Sequence, residues 1–374
     1  MKLNKKLLAT GVLAASMFAG QAWGAVSAEE AAKLGNSLTP MGAEKSGNGG
    51  AIPAWTGGLT TPPAGYKNDG IYVNPFPNEQ PKFTIDQSNV EQYKDNLSPG
   101  QVAMIERYDD YFMPVYETHR TAAYPQEVME QTVENATEVE LIKDGNGLGN
   151  YQSATPFPIP QNGLEAIWNH ITRYRGGSVQ RNVGQVTPTE GGDFSVVKFQ
   201  DELTWRTYLA DYEPGMDPNV LFYFKQAITA PARLAGNVLL VHETIDQVAE
   251  PRRAWVYNAG QRRVRRAPQV AYDGPGTASD GMRTSDNFDM FNGAPDRYNW
   301  ELIGKKEMYI PYNSYKLVDP SLTYDQIIKA GHINQEYTRY ELHRVWHVRA
   351  TLKDGARHIY AQRDFYIDED SWQA

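Results

Sequence analysis

The sequence predicts an α+β protein, in which a curved antiparallel half-barrel sheet carries helices over its concave side and an extended N-terminal segment wraps around it. Three observations favour this class. Apolar residues recur with a helical period of about 3.6 in stretches that precede Gly176. After Gly176 the period becomes two, as in strands. Glycine and proline interrupt residues 25–83 so often that this part is expected to be extended.

The first 24 residues have the pattern of a secretory signal peptide. Lys2, Lys5 and Lys6 form a positive start, residues 7–20 are apolar, and Ala22-Trp-Gly24 supplies small residues for cleavage. The apolar run is too short for a permanent membrane anchor. We therefore expect cleavage after Gly24 and a periplasmic protein. Because the chain has no cysteine, we expect neither a lipoprotein anchor nor disulfides.

Composition narrows the classes of function. The net charge is −9, and removal of the three signal-peptide lysines gives −9 − 3 = −12. So acidic an exported protein is a poor candidate for binding nucleic acid. The 23 tyrosines and 8 tryptophans suit sheets and ligand-contacting surfaces. We divide the chain into a signal peptide (1–24), an N-terminal wrap with short helices (25–125) and a helix-covered sheet domain that shares one core with the wrap (126–374).

Capping signals and apolar stripes predict the helices. Ser98 is a helix N-cap, Pro99 suits the first helical position, and Gln101 completes a capping box, so a helix should run from here to about Tyr108. The other predicted helices are Ala28 to Leu34, Asn89 to Asn96, Gln126 to Leu141 and Glu165 to Tyr174.

Residues 252–266 give the clearest strand signal, because two alternating runs flank a turn at Asn258-Ala-Gly260, as in a hairpin. We expect one antiparallel sheet with Gln126–Leu141 and Glu165–Tyr174 on its concave side. A long connection from Ala271 to Asp296 interrupts the series. The predicted strands are Ser178 to Thr187, Phe194 to Tyr208, Val220 to Thr229, Asn237 to Asp246, Arg253 to Tyr257, Gln261 to Ala267, Trp300 to Tyr309, Tyr340 to Leu352 and His358 to Ile367.

Few residues offer catalytic or metal chemistry. His170 could act as a base oriented by Glu165, although a histidine near a helix end also interacts favourably with the helix dipole. No Gly-x-Ser-x-Gly motif supplies a nucleophile. His343 and His347 lie on a predicted strand, so about 13 Å would separate them, too far to share a metal ion. We therefore expect no catalytic residue, metal or cofactor.

Two clusters of acidic residues are expected to be exposed to solvent. The aspartates of the long connection resemble calcium ligands, but their spacing does not fit an EF-hand, and aspartates commonly cap turns. The run Asp368-Glu-Asp370 is similarly unspecific. The connection contains Asp273, Asp280, Asp286 and Asp289.

A dense basic strand allows two interpretations. Its side chains could pair with acidic neighbours across the sheet. Alternatively, they could bind an anionic lipid headgroup or a partner protein. The strand contains Arg262, Arg263, Arg265 and Arg266.

Several motifs together resemble one bacterial family, the exported domain-of-unknown-function family 1329, which is similar to outer-membrane lipoprotein-sorting proteins. The motifs are Pro156-Phe-Pro-Ile-Pro160, Glu165-Ala-Ile-Trp-Asn-His170, Ala230-Pro-Ala-Arg-Leu-Ala-Gly236, His242-Glu-Thr-Ile-Asp-Gln247, Trp255-Val-Tyr-Asn258 with Gln261-Arg-Arg-Val-Arg-Arg266, Asp289-Met-Phe-Asn-Gly293 and Tyr340-Glu-Leu-His-Arg-Val-Trp346. The resemblance covers nearly all of the mature chain, from about Leu34 to Trp372.

The resemblance implies a fold like that of the periplasmic lipoprotein carriers, a curved half-barrel closed by helices. It also implies genomic company with a second outer-membrane family and with resistance-nodulation-division exporters, and it implies no catalytic residues. Family members continue beyond the Asp368–Trp372 stretch, so we expect this chain, which stops at Ala374, to lack a strand or two.

The function expected first is a periplasmic carrier or chaperone for a lipid or another apolar ligand, serving an envelope export system. The alternative is a non-catalytic adaptor that docks to an outer-membrane barrel or exporter, and the third is a hydrolase that uses His170. The apolar cavity of a carrier would be lined by Trp205, Phe222, Phe224, Leu239, Val241, Trp255, Tyr257 and Trp346.

Overall fold

A computed structural model describes residues 25–267 and 272–374. The predicted signal peptide and Ala271, the first residue of the predicted connection, lie outside the described residues. The α-helices described are Ala28–Ala31 (α1), Pro99–Arg107 (α2), Gln126–Glu138 (α3), Gly163–Thr172 (α4) and Tyr324–Ile327 (α5). None of the helices in the described ranges is both long and apolar enough to span a bilayer.

The strands fall into two sheets and one small hairpin. The described strands are Phe83–Ile85 (β1), Met113–Val115 (β2), Glu140–Ile142 (β3), Gly147–Gly149 (β4), Ser178–Val186 (β5), Val196–Trp205 (β6), Val220–Ala230 (β7), Val238–Thr244 (β8), Arg253–Asn258 (β9), Arg263–Arg266 (β10), Tyr298–Pro311 (β11), Tyr340–Leu352 (β12) and Gln362–Asp368 (β13). Strands β5 to β10 form a six-stranded antiparallel meander, and β3 pairs with β4. A second sheet joins β11, β12 and β13 to β1 and β2.

The predicted α+β class, with curved antiparallel pairing and helices, is confirmed. Bulges beside Phe199 and Phe222 bend the six-stranded sheet. The expectation of one continuous sheet from Ser178 to Ile367 is wrong. In the described residues no ladder joins β10 to β11, because the connection between them carries the chain across to the second sheet.

The helix predictions hold where capping is strong. Ser98 and Gln101 form the expected capping box of α2. The helix predicted to run to Leu141 ends at Glu138, because residues 140–142 pair with 147–149 in a hairpin. The helix predicted at residues 89–96 is instead two short 3-10 turns.

One hydrophobic core lies between helices α3 and α4 and the two sheets. Helix α4 is buried at every position except Leu164. It begins against β11, since a Cβ on Gly163 would lie 2.8 Å from the backbone nitrogen of Glu301. Both sheets contribute to this core, through residues such as Leu203, Trp205, Phe222, Val241, Val348, Phe365 and Ile367.

The N-terminal part contacts the rest of the molecule closely. Residues 83–115 contribute a second apolar cluster, which includes Ile85, Met113 and Tyr340 of β12. Gly42 has φ +93°, and a Cβ there would lie 1.8 Å from the carbonyl oxygen of Pro158. The division of the chain at residues 24/25 and 125/126 stays a prediction.

The run Asp368–Asp370 is buried, which corrects the expectation of a solvated acidic stretch. Asp370 accepts two hydrogen bonds from Arg120, which belongs to the N-terminal part. Glu369 lies 2.7 Å from Nζ of Lys305 and 3.3 Å from Nη1 of Arg344. These ion pairs connect the end of β13 with strands β11 and β12 and with the segment before α3.

Candidate functional site

Alternation along β7 and β8 places an apolar wall on the inner face of the six-stranded sheet, the face toward α3 and α4. Phe224 lies opposite Val241, and Gln226 lies opposite Leu239 in the ladder. Phe222 precedes them on the same face, where its ring packs edge-on against Trp205 at 5.4 Å. Five of the eight residues predicted from sequence are thus on this face.

A small cavity lies between this wall and the connection from β10 to β11. Its volume is about 60 Å³. Pockets for small molecules ordinarily measure about 300–1,000 Å³, so this cavity is too small for a ligand of that size. Four predicted residues line it, namely Phe222, Phe224, Leu239 and Val241, together with Gln226, Glu243, Arg252, Arg283, Phe288 and Asn292.

Residues 284–292, here called the anchor segment, are fixed by buried ion pairs. Asp286 accepts hydrogen bonds of 2.9 Å from both Arg363 and His358. Asp289 accepts bonds of 2.7 and 2.8 Å from Arg173, beside the end of α4. The expectation that these two aspartates are solvated is therefore wrong, because each faces cations from distant elements.

The electrostatics of Asp289 agree with a structural role. Burial by itself raises the pKa of this carboxyl, but the charges on Arg173 and Arg175 outweigh burial and hold the pKa below its usual value. Burial lowers the pKa of Arg175 to about 10. Asp289 therefore stays ionised near neutral pH, and the anchor segment stays attached to α4.

Residues 274–283, here called the cover segment, are held more weakly. Gln185 of β5 donates to the backbone oxygens of Thr277 (3.1 Å) and Ala278. Thr187 donates to the exposed Asp280 at 2.9 Å. These contacts are neutral or solvent-exposed, and such hydrogen bonds ordinarily contribute about 0.5–1.5 kcal/mol each. Among the described residues no ion pair holds the cover segment, in contrast with the anchor segment.

Aromatic and cationic side chains of the anchor segment, the cover segment and β5 lie over the apolar wall. Phe288 packs on Phe224 with ring centroids 5.6 Å apart. The guanidinium groups of Arg283 and Arg181 lie 5.7 and 5.9 Å from the Phe288 ring. Burial lowers the pKa of Arg283. The site therefore combines an apolar wall with cations at its rim.

Two predicted lining residues, Trp255 and Tyr257, lie on the opposite face of the sheet. Trp255 pairs with Leu240, and Tyr257 pairs with Val238, so the two aromatic rings alternate with the inner residues Leu239 and Val241. Side chains opposite each other in a ladder share a face, whereas neighbours along a strand do not. The expectation of one shared cavity is corrected accordingly.

The eighth residue, Trp346, lies in the second sheet. It pairs with Lys305 and Ile367, and Nζ of Lys305 sits 4.7 Å from its ring centre. The structure thus brings together five of the eight residues and separates three. The ligand-binding role of all eight stays a prediction.

His170 is fully buried at the end of α4, with both ring nitrogens engaged by backbone. Nε2 donates to the carbonyl oxygen of Asp289 at 2.8 Å, and Nδ1 accepts from the backbone N–H of Ala374 at 3.2 Å. Burial and the charge on Arg173 lower its pKa to about 4. Glu165 bonds instead to Gln161 and Asn162. The two residues therefore do not form the acid–base pair that a hydrolase would need.

One group of side chains has the composition of a metal site. Ligand atoms of His343, Asp368 and Asp370 all lie within 4.8 Å of one another, and all three residues are buried. The carboxylate of Asp370 is, however, bound at both oxygens by Arg120. A guanidinium thus already occupies the position of a neutralising cation. His347, predicted not to share a metal with His343, bonds separately to Asp364 at 2.6 Å.

Sequence reasoning missed the polar residues of the cavity. Glu243 of β8 lies 2.8 Å from Arg252 and accepts from Asn292 of the anchor segment at 3.1 Å. Gln226 donates to the buried Asp201 at 2.9 Å. The alternation Phe222-x-Phe224-x-Gln226 indicates that Gln226 shares a face with the two phenylalanines. No local pattern indicates the contact of Glu243 with Asn292, 49 positions later, because that contact depends on the tertiary fold.

Comparison with known proteins places the chain in a family. Residues 84–374 match the model of the family described as protein of unknown function, DUF1329. An uncharacterised protein of Pseudomonas aeruginosa is 67% identical over 376 residues, a match that covers 100% of this chain and 83% of that protein.

Solved structures resemble parts of the chain weakly. A DUF1329 family protein from Desulfovibrio piger is 14% identical, with a TM-score of 0.33 over 52% of this chain and 62% of its own. A putative outer membrane lipoprotein-sorting protein domain from Vibrio parahaemolyticus is 12% identical, with a TM-score of 0.34 over 56% and 68%. The chain thus spans less than two thirds of the Desulfovibrio protein, and nothing about ligands follows from similarity at this level. The family match over residues 84–374 is nonetheless extensive, and the chain belongs to the DUF1329 family.

Proposed function

We propose that the protein is a periplasmic carrier for a lipid or another apolar small molecule, and that it serves an envelope export system. The ligand binds on the inner face of the six-stranded sheet, against Phe222, Phe224, Leu239 and Val241. The observation that carries the proposal is the contrast between this apolar wall and the weakly held cover segment above it.

Binding requires the cover segment to move outward, because the closed cavity of about 60 Å³ cannot hold an acyl chain. The anchor segment stays in place through Asp286 and Asp289, so the opening has one fixed side. Burying each methylene of the ligand contributes about 0.8 kcal/mol, which readily offsets the few hydrogen bonds lost when the cover segment opens.

A cross-link between the cover segment and β5 tests this proposal. The chain has no cysteine, so the double variant T187C/D280C introduces the only thiols, at side chains 2.9 Å apart in the native protein. Bridging them with dibromobimane should prevent uptake of a dansyl-labelled fatty acid, measured by fluorescence. The matched control is Q180C/E202C, which joins neighbouring strands β5 and β6 at a register pair away from the cover segment.

The expected result is uptake by wild type and by the bridged control, but not by bridged T187C/D280C. Native mass spectrometry of protein purified from cells should also detect a co-purifying lipid. Uptake that is unaffected by the bridge at residues 187 and 280 would contradict this entry route, and absence of both uptake and co-purified lipid in wild type would refute the carrier function.

A further inference from the structure

The outer face of the six-stranded sheet carries an apolar groove that the carrier function does not use. The groove has a volume of about 470 Å³ and is lined chiefly by Val238, Leu240, Trp255, Tyr257 and Val264. Val264 is 63% exposed, Leu240 37% and Tyr257 36%. Large apolar side chains grouped at such exposure usually mark an interaction surface.

The strand register explains why these side chains meet. Val238 lies opposite Tyr257, which lies opposite Val264, so three apolar residues form one row across β8, β9 and β10. Leu240 and Trp255 form the next row, which ends at Arg266. Cross-strand neighbours share a face, so both rows point away from the helices.

Four arginines lie in or beside β10, the strand at the edge of this groove. The register places Arg266 on the groove face and Arg263 and Arg265 on the opposite face. Arg262, Arg263, Arg265 and Arg266 are all exposed, and none of them makes an ion pair with any residue in 25–267 or 272–374. Strand β10 pairs only with β9, which places the arginines at an edge of the described sheet. Lys225, also in the groove, is by contrast neutralised by Glu202 at 2.7 Å. Four exposed arginines thus lie within two residues of the exposed Val264.

We propose that the outer groove and the β10 arginines together form a docking surface for an anionic lipid bilayer. Arginine binds phosphate oxygens through its planar pair of N–H donors, while tryptophan and tyrosine suit the boundary between headgroups and acyl chains. The two apolar rows and Arg266 share one face, and the other three arginines lie along the same edge of the sheet.

A second copy of this chain fits the surface less well. Pairing of two β10 edges would bring arginines against arginines, and like charges opposite each other destabilise a ladder. A single enclosed ligand also fits less well, because the groove residues remain open to solvent. An anionic bilayer supplies phosphate groups for Arg266 and an apolar layer for the two rows of groove residues.

Co-sedimentation of the full mature chain with vesicles tests the cationic part of the docking surface. Vesicles of phosphatidylglycerol and phosphatidylethanolamine should bind the protein, and vesicles of phosphatidylcholine should not. The variant R266Q should bind roughly fivefold more weakly, the effect expected from losing one cation at an anionic surface. The control R357Q removes the same charge from another exposed residue and should leave binding unchanged.

A second pair of variants tests the apolar part. L240S/V264S keeps every charge and should also weaken binding to the anionic vesicles, by about tenfold or more. I359S changes a residue that is 69% exposed elsewhere on the surface and should have no effect. Thermal unfolding monitored by circular dichroism verifies that each variant folds.

Three outcomes would overturn the proposal. Wild type could fail to bind anionic vesicles, the two charge variants could lose binding equally, or L240S/V264S could bind as wild type does. Light scattering that shows a wild-type dimer broken by R266Q or L240S/V264S would assign the surface to a second copy instead. None of these results depends on whether the inner cavity carries a ligand.

Discussion

Arg120 holds the carboxylate of Asp370, 250 residues further along the chain, through hydrogen bonds of 2.8 and 2.7 Å. Both side chains are 3% exposed. The second nitrogen of this guanidinium also donates to the carbonyl oxygen of Glu44 at 2.8 Å. One arginine thus connects two distant parts of the N-terminal segment with the end of β13.

Arg120→Gln should lower the free energy of unfolding by about 3–5 kcal/mol, because it leaves the buried carboxyl group of Asp370 without its guanidinium partner. Urea denaturation measures the effect. Lys33→Gln, which breaks the exposed pair with Glu30, serves as the control and should change stability by less than about 1 kcal/mol. Equal effects of the two substitutions would show that the buried ion pair stabilises the protein no more than the exposed pair does.

Gly42→Ala should destabilise the protein far more than Gly35→Ala. Both glycines have positive φ, +93° and +80°, so each substitution carries the backbone cost of about 1–2 kcal/mol. Only at residue 42 would the new methyl collide with Pro158, whereas the space at residue 35 is open. We expect G42A to detach residues around 42 and expose them to limited proteolysis. Similar unfolding free energies for the two variants would argue against close packing of this segment.

Asp368→Asn should change how stability depends on pH. Burial, assisted by the charge on Asp370, raises the pKa of Asp368 to about 6 from 3.8. The folded protein therefore binds the proton more tightly than the unfolded chain does, and its stability falls as pH rises from about 4 to 6, by at most about 3 kcal/mol. In D368N this loss is absent, so the stability of the variant relative to wild type should increase over that window and stay constant above it. A pH-independent difference in urea midpoints would contradict the assignment.

His170→Gln should have the opposite pH signature. Burial lowers the pKa of His170 to about 4 from 6.5, so the unfolded chain takes up the proton first as pH falls. The contribution of His170 to the free energy of unfolding is therefore fully present above pH 6.5. It is lost as the pH falls toward 4, by up to about 3 kcal/mol. The variant lacks this dependence, so its deficit should be largest at pH 7.5 and shrink below pH 6.5. A deficit that grows on acidification would show that the imidazole is charged in the folded state.

Gln185→Ala should loosen the cover segment without unfolding the protein. It removes the side-chain bonds to Thr277 and Ala278, and hydrogen exchange in residues 274–283 should become several-fold faster. Gln180→Ala, at an exposed position of the same strand, is the control and should leave exchange there unchanged. Unaltered exchange in Q185A would mean that other contacts hold the cover segment.

Local signals in the sequence predicted the elements that local physics determines. The capping box at Ser98 and the turn at Asn258–Gly260 depend on residues within a few positions, and both features are present. The period-two stretches correspond to strands β5 to β13 with shifts of a few residues at their ends. The split into two sheets was not predictable in this way, because it depends on which strands meet across a long connection.

The candidate site was predicted only in part, for a related reason. Alternation identified Phe222 and Phe224 as neighbours on one face, but relating the face of Trp255 to that of Phe224 requires the register of two further ladders. A slip of one residue moves a side chain to the other face. The burial of Asp286 and Asp289 likewise depended on Arg363 and Arg173, which lie far away in the sequence.

The position of Asp368–Asp370 affects the order in which the molecule can assemble. A chain is made from its N-terminus, so Arg120 exists before Glu369 and Asp370, the carboxylates it pairs with, whereas Lys305 and Arg344 can also pair with the earlier Glu44. Until residues 369 and 370 are available, burying Arg120 is unfavourable, which disfavours packing of the N-terminal segment against the end of β13. Residues 368–370 therefore complete the packing of the N-terminal segment last. In a chain shortened to residue 367, this segment should remain detached and sensitive to proteases.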